Sequence, residues 1–135
     1  MANAERVLTL YDLPMWEAVE RGKMALQKCA ACSAFRYPPG PACPQCLSLD
    51  HVWEEISGRG RILSWVVFHR QYFDDFPPPY NAIAVKLEEG PIVVSNLVGE
   101  EPEGSWINRP VDITYRRHLD RTQHAFKLSG SAAGR

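Results

Sequence analysis

The residues best suited to chemistry in this chain are its four cysteines, gathered in CAACSAFRYPPGPACPQC between Cys29 and Cys46. Cys29 and Cys32 form one C-x2-C pair and Cys43 and Cys46 a second, with ten residues between the pairs. A C-x2-C pair makes a tight turn whose two sulfurs point at one centre. Two such turns on a hairpin supply four thiolates in a tetrahedron, the geometry of structural zinc. The pattern offers no fifth ligand and no open position, whereas catalytic zinc keeps a water and nitrogen or oxygen ligands. The nearest histidine, His51, is expected at the surface. A rubredoxin-like iron centre for electron transfer uses the same four ligands. Its knuckles read C-x2-C-G, however, and here Ser33 and Leu47 follow the pairs. A nucleic-acid zinc ribbon carries several basic residues in its loop, and Ala34 to Ala42 holds Arg36 alone. The cluster therefore reads as a clip for the fold, with the electron carrier and the nucleic-acid binder as competing readings.

Other chemistry is sparse. A nucleophilic enzyme needs a nucleophile beside a base, and neither G-x-S-x-G nor H-E-x-x-H occurs. Asp74 and Asp75 are adjacent acids on a proline-rich loop, expected to point into water. His69, His118 and His124 are scattered singly on expected strands or their ends, facing solvent or a partner. Net charge is −1 with a pI near 6.4, which argues against a dedicated nucleic-acid binder. The cations are nonetheless clustered. Ser57 to Tyr72 holds Arg59, Arg61, His69 and Arg70 without an acid, and Arg109, Arg116, Arg117 and Arg121 follow later. Local basic surface on a neutral protein fits a small anion better than a polyanion.

The elements that must position these residues fall into three segments and a tail. Residues 1–25 carry a short helix in DLPMWEAVERG, with Asp12 as its cap, Pro14 in its first turn and Gly22 as its stop. Met15, Trp16 and Val19 share one face of it, with Trp16 as the expected anchor. Residues 26–53 hold the cysteines among Pro38, Pro39, Gly40, Pro41 and Pro44. So few large aliphatics cannot build a core, and a crosslink must replace one. Residues 54–128 read as strands. RILSWVVFH from Arg61 follows a glycine-marked turn, with Trp65 and Phe68 expected in the core. NAIAVKL and PIVVSNLV form a hairpin about Glu89-Gly90, and VDITY and a strand near His124 to Leu128 complete the set. Five to six antiparallel strands without a second helix make a mainly β fold with a small closed barrel. Residues 129–135 are a small, polar tail expected to fray. No apolar run is long enough to span a membrane and no secretory signal opens the chain, so a cytoplasmic location is expected, where reduced thiols favour a metal site.

The order of these parts resembles the DUF35 family, in which a rubredoxin-like zinc ribbon precedes an acyl-CoA-associated OB-fold. The residues carrying the resemblance are Trp16, CAAC at 29–32, YPPGPACPQC at 37–46, and Trp53 with SGRGRILSWVVFHR at 57–70. PPPYNAIAVKLEEGPIVVSNLVG at 77–99 and RPVDITY at 109–115 continue it, covering roughly residues 12 to 128. Two features depart from the family: Ser33 stands where a glycine is usual, and the last strand reads HAFKLSG without the frequent L-P-x-F-x-P ending. The resemblance implies structural zinc on Cys29, Cys32, Cys43 and Cys46, and no catalytic residue of the chain's own. It implies a thiolase-like large subunit as partner, in a hetero-oligomer of two-plus-two or higher order, with neither nucleic acid nor membrane as a target. The complex would act on acyl-CoA thioesters by thiolytic or retro-aldol cleavage or by acyl transfer. Candidates for the phosphates of CoA are Arg36, Arg61, His69, Arg70, Arg116 and Arg117, since guanidinium forks bind phosphate without a glycine-rich loop. Strand alternation already separates Arg70 from Arg61 and His69. Tyr72, Phe73, Phe76 and Tyr80, on the aromatic and proline-rich loop 71–80, are candidates for partner docking.

Overall fold

The computed structural model describes residues 8–130. The beginning of the 1–25 segment and most of the 129–135 tail lie outside these residues.

Helix α1 (Leu13–Glu20) is short because Pro14 opens it and Gly22, at φ 72°, turns the chain out of it. Asp12 does not cap it with its side chain. Its carboxylate instead accepts the N–H and hydroxyl of Thr9, both at 2.9 Å, one turn upstream. Met15, Ala18 and Val19 form the buried face, so the anchor is Met15 with Val19 rather than Trp16. Trp16 sits at the edge of that face and stacks on His124, ring centroids 5.3 Å apart. A helix of eight residues is not stable alone. Burying a methionine and a valine, at about 1.5–3 kcal/mol each, is what holds it.

The cysteine segment is a small antiparallel sheet in the order β2 (Phe35–Arg36), β1 (Ala25–Cys29), β3 (His51–Glu55). Its interior is polar. Gln27, fully buried on β1, accepts Arg36 Nε at 3.0 Å and the Gly40 N–H at 2.8 Å through Oε1. Gln27 Nε2 lies 3.2 Å from His51 Nε2. His51 is thus half-buried against Gln27 and Trp53, not a surface residue.

The barrel is one five-stranded sheet in the order β6 (Ile92–Ser95), β5 (Tyr80–Leu87), β4 (Arg59–Phe68), β7 (Pro110–His118), β8 (Arg121–Leu128). All pairings are antiparallel, and β5 and β6 form the expected hairpin with Gly90 at φ 119°. The sheet curls until its edges meet: Leu97, just beyond β6, bridges Phe126 of β8 in parallel. Phe126 N–H reaches Asn96 O at 2.9 Å, and Val98 N–H reaches Phe126 O at 2.8 Å. HAFKLSG therefore closes the barrel through a fully buried phenylalanine, without the proline ending. Alternation sends Ile83, Val85 and Leu87 inward, where they meet Val93, Ile62 and Phe126. The same core takes in Met15, Val19, Met24 and Leu26, so helix and ribbon are docked on the barrel by shared apolar packing. Trp65 packs at its edge, stacked on the buried Trp106 at 5.7 Å. Phe68 is not core: it lies at the end of β4, stacked on Tyr80 at 4.8 Å. The antiparallel, mainly β plan with one short helix and a four-cysteine cluster is the one the sequence implies.

Candidate metal centre and contact sites

The four cysteine sulfurs lie within 4.8 Å of one another. Cys29 and Cys46 are 3.5 Å apart and Cys32 and Cys43 3.6 Å. These separations are far beyond a disulfide of about 2.05 Å. They approach the roughly 3.8 Å edge of a tetrahedron with zinc–sulfur bonds of about 2.3 Å. Each knuckle gives one buried sulfur residue, Cys29 or Cys43, and one exposed, Cys32 or Cys46. The knuckles repeat one geometry. Ser33 N–H donates to Cys29 O at 2.9 Å and Leu47 N–H to Cys43 O at 2.8 Å. Ala31 and Gln45 point backbone N–H groups at Cys29 Sγ and Cys43 Sγ, each at 3.4 Å. Ser33 and Leu47 both stand at φ 66°, the left-handed turn that a glycine makes without strain. The departure from C-x2-C-G therefore changes the residue and not the shape.

The thiol electrostatics fit a cation. The Cys32 N–H, helped by that of Ala31, draws the Cys29 thiol from 9.0 down to about 6. The Cys46 N–H, with that of Gln45, lowers Cys43 likewise. Cys32 and Cys46 move up: the Ala34 and Ser48 N–H groups pull them down, but neighbouring sulfurs and burial prevail, leaving Cys46 at about 12. Two thiolates are prepared by backbone dipoles, and their crowding opposes the other two. A divalent ion among the four sulfurs removes that opposition. Cys29, Cys32, Cys43 and Cys46 thus fit a structural zinc ion, which would crosslink the two knuckles of the ribbon.

The six basic candidates do not converge. Arg36 is 5% exposed and committed to Gln27 and the Gly40 carbonyl. Arg117 is held by Glu20 of the helix and Thr122, at 2.9–3.2 Å. Arg116, its neighbour on β7, points the other way and donates to Asn96 Oδ1 at 3.1 Å. It lines a cleft of about 270 Å3 with Asn81, Tyr80 and His118. Arg61 is exposed near the start of β4, while His69 and Arg70 lie exposed beyond its end, about 26 Å away along an extended chain. Arg70 packs over the Tyr72 ring at 5.6 Å. Arg61 donates to Asn108 O at 3.0 Å and stands directly across from Lys86 on β5. Both line a cleft of about 500 Å3 with Arg59, Pro110 and Ser129. Among the described residues Lys86 has no ion-pair partner, whereas Arg59 is paired with Glu88. Lys86 carries no motif that would have drawn attention in the sequence.

Loop 71–80 divides its aromatics. Tyr72 and Phe73 are 48% and 41% exposed. Phe76 and Tyr80 turn inward, Phe76 onto His118 at 4.5 Å and Tyr80 onto Phe68. Asp75 does not point into water: its side chain is 2% exposed, with Oδ2 2.7 Å from His118 Nε2. His118 and His124 are likewise turned inward, His124 with Nδ1 2.8 Å from the Ser95 hydroxyl. The sequence concealed these pairings because each joins residues far apart in the chain. Among the described residues no helix is long and apolar enough to cross a membrane.

Two family models match the chain in tandem, the rubredoxin-like zinc ribbon domain of ChsH2 over residues 16–52 and the ChsH2 C-terminal OB-fold domain over residues 53–116. The chain is 41% identical over 101 residues to a probable enoyl-CoA hydratase alpha subunit of Thermomonospora curvata, covering 74% of this chain and 32% of that protein. It thus spans about a third of that relative's length. A DUF35 domain-containing scaffold protein of Pyrococcus furiosus is 34% identical over 95 residues, 70% of either chain. A solved chain described as Ltp2-ChsH2(DUF35) aldolase superposes with a TM-score of 0.85 at 32% identity, over 93% of this chain and 99% of that one. Four converging cysteine sulfurs, a ribbon packed on a five-stranded curled sheet and these matches in the same order place the chain in the DUF35 family, as a protein with a ChsH2-type zinc ribbon and OB-fold.

Proposed function

We propose that the chain is a non-catalytic subunit of a thiolase-type complex acting on acyl-CoA thioesters, by thiolytic or retro-aldol cleavage or by acyl transfer. The observation that carries this reading is the superposition on 99% of a chain described as part of an Ltp2-ChsH2(DUF35) aldolase. The chain's own chemistry is consistent with it. Its four thiols converge on one centre, which leaves none for a nucleophile. The outward residues of β5 and β6 include Ala82, Ala84, Ile92 and Val94, aliphatic where a single-strand-binding face stacks bases on rings.

In this role the ribbon is a zinc-held arm and the barrel carries the contact surfaces. Tyr72 and Phe73 are the exposed docking residues, with Phe76 and Tyr80 supporting them from within the loop. Arg61 is the strongest of the six CoA candidates. Like charges directly across a strand pair are unfavourable alone, and a phosphate between Arg61 and Lys86 turns that repulsion into binding. His69 and Arg70 are the exposed candidates beside the docking loop, while Arg36, Arg116 and Arg117 are engaged within the fold. A hetero-oligomer of two-plus-two or higher order, in the cytoplasm, completes the proposal.

Purification of the protein from its native host, with identification and native mass of what accompanies it, tests the reading. A thiolase-like large subunit is expected, together with CoA binding that Arg61→Ser and Lys86→Ser weaken and Tyr72→Ser leaves unchanged. Recovery without such a partner, and with no CoA binding by the isolated protein, sinks it.

A further inference from the structure

We infer that Asp75 and His118 form a latch that fixes the conformation of loop 71–80, so that β7 determines how Tyr72 and Phe73 are displayed. The inference deepens the docking role proposed above and rests on it only for its consequence, not for the latch itself.

The loop joins β4 to β5 and makes few backbone hydrogen bonds of its own. Phe76 N–H donates to Phe73 O at 3.3 Å, and the Gln71 side chain donates to the same carbonyl at 3.2 Å. Both contacts are internal and shape the loop without attaching it. Attachment to the barrel comes from side chains. His118, the last residue of β7, lies 13% exposed beneath the loop, with its Nε2 2.7 Å from Asp75 Oδ2. A carboxylate accepts and does not donate, so Nε2 carries the proton. Such a charge-assisted bond, between two largely buried side chains, is worth about twice a neutral one.

The imidazole has a second hold on the loop. Phe76, the next residue, stacks on it at 4.5 Å with planes 19° apart. From there the rings continue to Tyr80 at 5.6 Å, to Phe68 at 4.8 Å and to Tyr72 at 6.1 Å. One ladder of rings thus runs from the end of β7, through the loop, to the end of β4. His118 is its polar end and Tyr72 its exposed end. Moving His118 removes this hold on Asp75 and Phe76 together, and Tyr72 loses the ring support that orders it. A preordered loop binds more tightly because less conformational freedom is lost on docking. Asp75 and His118 are therefore positioning residues.

Hydrogen–deuterium exchange of the zinc-loaded protein reads the latch directly. His118→Leu, which has no donor, and Asp75→Ala are expected to raise exchange of the loop 71–80 amides roughly ten- to a hundredfold, the scale of losing a hydrogen bond to a charged group. Asp75→Asn, which keeps an acceptor oxygen without the charge, should fall between them and the wild type. Amides of the ribbon and of β5 should be unchanged. Loop exchange equal to wild type, or an increase spread evenly over the whole barrel, overturns the latch. Should the variants not fold, the wild type still decides. Its long-range nitrogen–proton NMR spectrum must show His118 protonated at Nε2, and a ring protonated at Nδ1 alone overturns the inference. Loosened loops that bind the partner as well as wild type would leave the latch standing and sink the docking role instead.

Discussion

The phenolic oxygen of Tyr115, on β7, accepts the backbone N–H of Met24 at 2.7 Å. Met24 is the buried residue between helix and ribbon, and its carbonyl in turn takes the Ile56 N–H at 3.1 Å. One barrel side chain thus satisfies the backbone where the ribbon enters and leaves. Burial holds the phenol above its ordinary value of 10.0, so it stays neutral across the physiological range. Tyr115→Phe removes the acceptor and leaves a buried N–H unpaired. The expected loss is about 1–3 kcal/mol in urea denaturation, with zinc content unchanged. A loss of zinc alongside would show that the ribbon itself depends on this contact.

The knuckles carry a strain that can be relieved. Leu47 stands at φ 66° with its side chain largely in solvent. A left-handed conformation costs a non-glycine residue roughly 1–2 kcal/mol, part of which glycine returns through its freer unfolded chain. Leu47→Gly is therefore expected to strengthen the ribbon by about 0.5–1 kcal/mol, read as slower zinc loss to a chelator. Faster loss would mean that the leucine packs on something that matters more than its backbone.

What the sequence made legible follows from the range of each signal. Cysteine spacing and strand alternation are local, and they located the four converging cysteines and the β5–β6 hairpin. Pairings between distant residues leave no such trace. Gln27 in ALQKC looks like a surface polar residue, yet it is the buried hub of the ribbon because Arg36, Gly40 and His51 reach it from other segments. Asp75 was unreadable for the same reason: its partner His118 lies 43 positions away. Arg36, Arg116 and Arg117 illustrate the limit for candidate sites, since composition shows cations but not whether a carbonyl or a carboxylate already holds them.

Helix α1 should loosen in acid. The Glu20 carboxylate accepts the hydroxyl of Thr122 at 2.7 Å and its N–H at 2.9 Å, and also faces Arg117. The Thr122 hydroxyl bond, then the Thr122 N–H, holds the group below its ordinary value of 4.5. A carboxyl lowered by folding stabilises the native state above its unfolded value, and that stabilisation disappears as pH falls through the folded value. Wild type should therefore exceed Glu20→Gln in stability at neutral pH by a constant margin, which shrinks below 4.5. Denaturation curves across pH read the margin, and one that persists in strong acid would assign the effect to shape and not to charge.

The approach of β7 to the start of β4 sets a strict demand on a single residue. Gly58 has φ 81°, and a Cβ there would lie 2.3 Å from Ile113 Cγ2. Its carbonyl meanwhile accepts the Ile113 N–H at 2.8 Å, so neither chain can back away without breaking the junction. Gly104 has a similar φ of 72° with nothing within 4 Å of its would-be Cβ. Alanine at either position bears the backbone cost of about 1–2 kcal/mol. Only Gly58→Ala adds an overpacking term, about 1–3 kcal/mol more. Thermal denaturation of the two variants separates the contributions, because the backbone part is common to both. A clearly lower midpoint for Gly58→Ala is expected. Equal midpoints would show that the isoleucine shifts freely, and that the β4–β7 junction is looser than its hydrogen bond implies.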